Sequence, residues 1–468
     1  MEEKQTSNKA IAKKRLSGRA VILIVCIAAV VLLAAGAAVL IFVWGRDSAS
    51  GAAENNPSGA ALVQENQKWQ DYTYSVYDDG TATLTGYTGK DTLVKVPAEV
   101  NGHPVTTIGL GCFNQADDPT MEEIMLPESV THFEPHAFGN AKKLKSITIP
   151  EGTTVIEMGT FVYCSALEEV HIPESVTEIG EGAFSYCRAL TEIVLPTSLK
   201  TVGDYAFSTC TALQSVTVPQ GTESIGMCAF EGCTSLEAVT LPDTVKTIGE
   251  YAFNMCESLS EIELPSGMTA VPNGIFNNCV ALKKVTLPEN LESIGEASFY
   301  YCEKLQSPKL PDTLKSIGAY AFCHCIAMEE IKIPDSADTL GDYAFADCTA
   351  LKKAELSKEL KAIPPYAFAQ CVSLQSITLY EGIEEIGVYA FVSCTSMTEI
   401  DVPDSVTLLD AYAFSGITGL KTVTVPESVE EIGEGLFAYS TGVTVNCRKG
   451  SMIDEYCSAN SIATSYMD

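Results

Sequence analysis

Tryptophan and histidine are scarce. The 468 residues hold two Trp and five His. A site built on several histidines, catalytic or metal-binding, has little material to draw on. Positive charge is also short, with Lys+Arg 29 against Asp+Glu 60 and a net charge of −31. A phosphate backbone needs a basic face, so nucleic acid is excluded as a partner. Catalytic signatures are missing too: no G-x-S-x-G, no H-E-x-x-H and no phosphate-cradling G-x-x-x-x-G-K occurs. Paired acids such as Glu122-Glu123 and Glu329-Glu330 fall at variable positions, and nothing holds them opposed as glycoside hydrolysis needs. The reading is therefore non-enzymatic, with no cofactor and no metal. The acidic excess reads as solubility and self-repulsion. A calcium site would need clustered oxygen ligands, and no D-x-[DN]-x-[DN]-G loop is present.

Apolar residues are plentiful, at 46%, and one run of them is long. Residues 20–44 carry no charge over 25 positions. As a helix they would span ~37 Å, enough to cross a ~30 Å hydrocarbon core with some tilt. A cleavable signal has an apolar stretch of only ~7–15 residues, so a retained signal anchor is expected, with a cleaved signal as the alternative. Trp44 closes the run where an interfacial aromatic belongs. Ahead of it lie Lys4, Lys9, Lys13, Lys14, Arg15 and Arg19, against Glu2 and Glu3. The positive-inside rule then places 1–19 in the cytoplasm as a basic tail, with everything after the span outside a cell membrane crossed once. Residues 45–70 are small and polar and read as a flexible linker.

The remainder is periodic. Phe recurs at 113, 138, 161, 184, 207, 230, 253, 276, 299, 322, 345, 368, 391, 414 and 437. Every gap is 23 except the first, which is 25. This is one solenoid and not a string of globules. In the period from Thr191, Ile193 and Leu195 alternate in front of Pro196, as a strand that ends at a proline. Leu199 and Val202 form a second apolar pair, and Gly203 permits a bend. Cys210 and Leu213 lie three and six residues after Phe207, which predicts a short helix or 3₁₀ segment. Stacked rungs then give a parallel sheet and a continuous internal Phe ladder. Residues 71–97, with a hairpin about Asp79-Gly80, form an N-terminal β cap; 98–442 form the solenoid; 443–468 form a C-terminal cap. There Ser451 and Asp454 have the spacing to cap a short helix.

Units such as LEEVHIPESVTEIGEGAFSYC (167–187) and LEAVTLPDTVKTIGEYAFNMC (236–256) resemble the BspA-type leucine-rich repeat. The opening at 79–113 and the closing VTVNCRKGSMIDEYCSANSI (443–462) resemble that family's first and last units. The resemblance implies a leucine-rich-repeat solenoid with a strand-lined concave face. It also implies a bacterial surface protein, with a role in adhesion to host matrix or other cells. The pattern is broken in places. Pro308 stands where neighbouring strands have Val or Ile, Ser357 and Tyr380 replace the strand-ending Pro, and Pro272 and Pro364 replace the Gly; local bends are expected there.

Eleven cysteines sit three residues after a repeat Phe, from Cys164 to Cys394, while other rungs put Ala116, Ala141, Ile417 and Ser440 in that slot. Small substitutes point to buried free thiols. Disulfides between rungs fit poorly, because equivalent side chains point the same way. Cys447 and Cys457 could pair within the end cap. The outward strand face, read at His171, Val194, Thr217, Thr240, Glu263, Thr286, Lys309, Lys332, Glu355, Thr378, Asp401 and Thr424, is polar and free of aromatics. Tyrosines gather two residues before the Phe, at 205, 251, 320, 343, 366, 389 and 412. Tyr320, Tyr343, Tyr366, Tyr389 and Tyr412 fall on consecutive rungs and form the candidate ligand-binding stripe, for a protein or glycan. The plainer alternative is that each ring covers its neighbour and shields the turn beneath. The expected function is surface recognition or adhesion; the alternative is an envelope spacer or assembly scaffold without a soluble ligand.

Overall fold

The structure, a computed structural model, describes residues 59–114 and 120–467. The basic tail, the expected membrane span at 20–44 and most of the expected linker lie outside the described residues. Among the described residues no helix is long and apolar enough to cross a membrane. Leu62–Asp468 is one compact unit by itself.

Most rungs contribute two short strands, not one. In the rung 214–236 these are Ser215–Thr217 and Ser224–Ile225. Their alternation buries Val216 and Ile225 and leaves the flanking residues toward solvent. Both pair in parallel with the same positions one period away: Val216 lies opposite Val239, and Ile225 opposite Ile248. Two strand ladders therefore run along the stack.

The segment after the second strand is not a helix. It is a run of turns in which, from Phe138 to Phe437, the positions two before and two after each repeat Phe have left-handed backbone. Tyr205 has φ 56° and Thr209 φ 61° about Phe207. A helix would direct every N–H along its own axis. Here alternate N–H groups serve the next rung instead: Tyr205 donates to the Met227 carbonyl at 2.8 Å, Phe207 to Ala229 at 2.8 Å and Thr209 to Glu231 at 2.6 Å. The groups between them close local turns, as when Cys210 donates to the Phe207 carbonyl at 3.2 Å. Stacking thus outweighs the ~1–2 kcal/mol that left-handed backbone costs an L-residue. Spacing of apolar residues at three and six is shared by a helix and by this run, which is why the sequence suggests the wrong one.

The core is the expected ladder. Phe113 to Phe437 stack in succession, with centroids 5.1 to 6.1 Å apart. Trp69, Tyr72 and Tyr87 extend the column into the N-terminal cap, Tyr87 meeting Phe113 at 5.5 Å. Beside it runs the cysteine row. Each of the eleven thiols is fully buried and donates to the carbonyl of the Phe 26 residues earlier; Cys256 reaches Phe230 at 3.3 Å. Ser440 makes the same bond to Phe414 at 2.7 Å. Burial pushes these thiols up, to about 12 for Cys164, Cys210, Cys279, Cys348 and Cys394. Cys447 and Cys457 are also buried free thiols, not a disulfide.

Prolines interrupt the ladders where they replace a donor. Gly203 donates to the Ile179 carbonyl at 2.7 Å, and a Cβ there would lie 2.8 Å from the Gly180 carbonyl carbon. Pro272 and Pro364 occupy the same repeat position without an N–H. The second ladder lapses there, between Thr247–Ile248 and Ala270–Val271 and between Thr339–Leu340 and Ala362–Ile363. Pro308 abolishes the first strand of its rung, so Lys284–Thr286 and Glu330–Lys332 belong to separate sheets.

The ends differ from the body. β1 (Leu62–Trp69), β2 (Tyr72–Tyr77) and β3 (Ala82–Tyr87) form an antiparallel meander over the first rung. β1 lies within the stretch read from sequence as the linker 45–70. The turn between β2 and β3 uses Gly80 at φ 84°, as the Asp-Gly signal requires. At the other end α1 (Met452–Ala459) closes the stack. Its expected cap takes another form: the Ser451 hydroxyl donates backward to the Arg448 carbonyl at 2.7 Å, while Asp454 accepts from the Gly450 N–H at 2.9 Å.

Candidate recognition surface

Tyr320, Tyr343, Tyr366, Tyr389 and Tyr412 are brought together. Their rings stack at 4.7, 4.3, 5.0 and 4.8 Å, with interplanar angles of 23° or less. The register follows from the 23-residue offset of each turn run. All five have φ between 56° and 59° and are half-buried. Beneath Tyr320, Tyr343 and Tyr366 lies a small buried cluster, Tyr300, Cys323, Ala346 and Ala369. At the C-terminal end the Tyr412 hydroxyl donates to Glu434 at 3.3 Å, and Gly435 on the next rung leaves room for the Tyr412 ring. Burial raises the Tyr366 phenol above its ordinary range. Tyr205 and Tyr251 stand apart from the row, Tyr205 beside Cys228 and Tyr251 over Gly274.

This geometry sets what the stripe offers. The inner rings have both faces covered by neighbours, so a sugar ring has no open face to stack on there. What remains is a row of ring edges and hydroxyls. The ring-over-neighbour arrangement weighed from sequence is thus present, and it coexists with an exposed polar edge. Two further aromatic pairs, missed from sequence, lie two residues after the Phe. Tyr163 stacks on Tyr186 at 4.6 Å with the Arg188 guanidinium 5.5 Å from the Tyr186 ring, and Tyr301 stacks on His324 at 4.1 Å. The signal was available, because Tyr163 and Tyr186 have the same offset from their Phe.

The outward strand positions point to solvent as expected. Val194 is 80% exposed, while Glu355 and Thr424 are half-buried. Opposite charges recur one period apart on the neighbouring surface, as in Lys145–Glu122, Lys246–Glu223, Lys315–Glu292 and Lys352–Glu329 at 2.6 to 2.9 Å. All are exposed, and such pairs contribute little. Among the described residues no group of three or more His, Cys, Asp or Glu is placed to hold a metal ion.

The repeat agrees with one family's sequence profile, the BspA type leucine rich repeat region, which matches residues 106–237, 200–329 and 315–444. This chain belongs to the BspA-type leucine-rich repeat family. Several solved structures are similar to it. A leucine-rich repeat protein from Bacteroides ovatus is 28% identical with a TM-score of 0.71, over 86% of this chain and all of that one. A leucine-rich cell surface protein from Faecalibacterium prausnitzii is 26% identical with a TM-score of 0.47, over 88% and 99%. The pneumococcal vaccine antigen PcpA is 18% identical with a TM-score of 0.51, over 87% and 99%. No curated protein matches by sequence. The BspA-type fold of this chain is a parallel-strand solenoid of bacterial leucine-rich repeat type.

Proposed function

We propose that this chain is a non-catalytic recognition protein of a bacterial cell surface. The uncharged run 20–44, with the basic tail 1–19 before it, anchors the protein in the cell membrane with the N-terminus inside. The repeat unit stands outside and holds a protein or glycan ligand. The observation that carries the reading is the five-tyrosine row: equivalent polar ring edges on consecutive rungs give an extended partner repeated contacts in one direction. The alternative binding face is the outward strand surface, which is polar and lacks the Trp, Tyr and Arg of strong hot spots. The other reading, an envelope scaffold, is favoured by the way the rings cover one another.

The test is a binding screen of the full chain in neutral detergent against glycans, matrix proteins and cell-wall fragments. A variant with Tyr320, Tyr343, Tyr366, Tyr389 and Tyr412 replaced by Ala runs beside it. Saturable binding lost in the folded variant places recognition on the tyrosine row. Binding retained by the variant moves it to the strand face. No binder at all overturns recognition in favour of the scaffold.

A further inference from the structure

The charge on the outward strand face is unevenly distributed. On the four consecutive rungs at 284–286, 307–309, 330–332 and 353–355 it carries Lys284, Lys309, Lys332 and Lys353 against Glu330 and Glu355. On the other rungs it carries Lys95 against Glu123, Glu169, Glu192, Glu261, Glu263, Glu399 and Asp401. A basic island therefore sits on a negative face of a chain with net charge −31.

The island coincides with the break in the first ladder. Pro308 removes a strand, and a recess of about 370 Å³ opens beside it, lined among others by Lys283, Lys284, Leu287, Pro308, Lys309 and Pro311. Its rim is cationic apart from Glu289, and its lining is part apolar, at Leu287, Pro308 and Pro311, and part polar, at Gln306 and Ser307. Lys283 and Lys284 are exposed and have no carboxylate within ion-pair distance among the described residues. Lys309 meets Glu289 at 3.2 Å in a fully solvated pair. Lys332 and Lys353 both approach Glu355, at 3.1 and 3.9 Å. The free positive charge thus lies at the recess, with Glu261 and Glu263 on the rung before it.

We infer that the Pro308 recess is a docking site for an acidic peptide segment of a partner protein, whose carboxylates meet Lys283, Lys284 and Lys309 and whose apolar side chains enter between Leu287 and Pro308. Two features favour a peptide over an acidic glycan. Leu287, Pro308 and Pro311 give the recess an apolar part that side chains can fill, and no aromatic ring lines it for a sugar to stack on. Lysine, a point charge on a flexible stem, accepts carboxylates without a fixed geometry. The carboxylates at Glu261 and Glu263 on the preceding rung, and at Glu399 and Asp401 further on, repel the same partner and favour this register. The inference rests on the recognition reading and names one partner class for it.

The test uses the full chain in neutral detergent and a fluorescein-labelled dodecapeptide of alternating Asp and Leu, followed by anisotropy. Saturable binding is expected, weakening with added salt. Lys283→Glu, Lys284→Glu and Lys309→Glu together are expected to weaken it about tenfold or more. The same reversal at Lys142, Lys143 and Lys145 is expected to leave it within about twofold. Pro308→Val, which keeps the charges and restores a strand-forming residue, is expected to weaken it several-fold. The substituted lysines are exposed, and an unchanged unfolding midpoint verifies the fold. Equal loss at the two lysine groups, no effect of the first group, or binding of chondroitin sulfate in place of the peptide would each overturn the site. The recognition reading falls separately, only if the wider screen finds no binder.

Discussion

Two aromatic columns run through the same solenoid at the same period, and they obey different rules. The Phe column is fully buried from Phe113 to Phe414, with rings 5.1 to 6.1 Å apart. The tyrosine row is half-buried, with rings 4.3 to 5.0 Å apart. Phe occupies fifteen rungs without exception, while the position two before it also holds Gly111, Gly159, Gly182, Gly274 and Gly435, and His136, Cys228 and Ala297. The difference lies in what each site asks. A core slot demands volume, because any shortfall leaves a cavity. The tyrosine slot demands left-handed backbone first and covering second. Glycine satisfies the first demand, and a stacked ring compensates for failing it. A 23-residue repeat produces a ladder from any residue it carries; burial and backbone decide whether that ladder is obligatory.

The strongest way to break the contrast is in the core. Phe253→Ala is expected to cost ~3–5 kcal/mol through the cavity it leaves, read by denaturant unfolding. A loss near zero would mean the stack relaxes around the gap and the core is not obligatory. Next is the thiol row. Cys256→Ala abandons the bond to the Phe230 carbonyl and is expected to cost ~1–3 kcal/mol. Cys256→Ser is expected to cost less, because Ser440 already shows a hydroxyl making that bond. The same row sets a pH dependence. The folded thiols are held above their unfolded range near 8.5, so the stability they contribute is complete below pH ~8.5 and is lost as pH rises toward 12. Unfolding midpoints that stay level from pH 8 to 11 would contradict buried neutral thiols.

A smaller effect sharpens the comparison most. At Tyr343, Gly is expected to be the milder replacement, by ~1 kcal/mol over Ala, since φ is 59° there. At Phe345, two residues on, the order is expected to reverse, Gly being worse than Ala. Parallel unfolding curves of the four variants decide it, and the same order at both positions would refute the backbone explanation. The least change is expected at Lys246→Gln. The Glu223 pair at 2.7 Å is exposed, so the small loss of stability expected at low salt should vanish at high salt.

The repeat was legible because one residue type marked every rung. The Phe column, the buried thiols and the stack of five tyrosines all follow from counting in steps of 23. The turn run was not legible. A helix and an alternating right- and left-handed run place Phe207, Cys210 and Leu213 alike, and only the partner of each N–H tells them apart. β1 was hidden because LVQENQKW carries little apolar alternation and is a strand only by lying against β2. The cap of α1 was half legible: Asp454 does hold a backbone N–H at the helix start, but that of Gly450, and Ser451 bonds elsewhere.

By itself, then, the sequence determined the period, the solenoid, its core residues and which residues would form rows. Those are properties of spacing, and spacing is written in one dimension. The tertiary structure decided which faces of those rows remain open. It covered the tyrosine faces and left their edges, and it opened a lysine-rimmed recess where Pro308 could not join a ladder. Both outcomes depend on hydrogen bonds and contacts between residues 23 apart, and these exist only once one rung lies on the next.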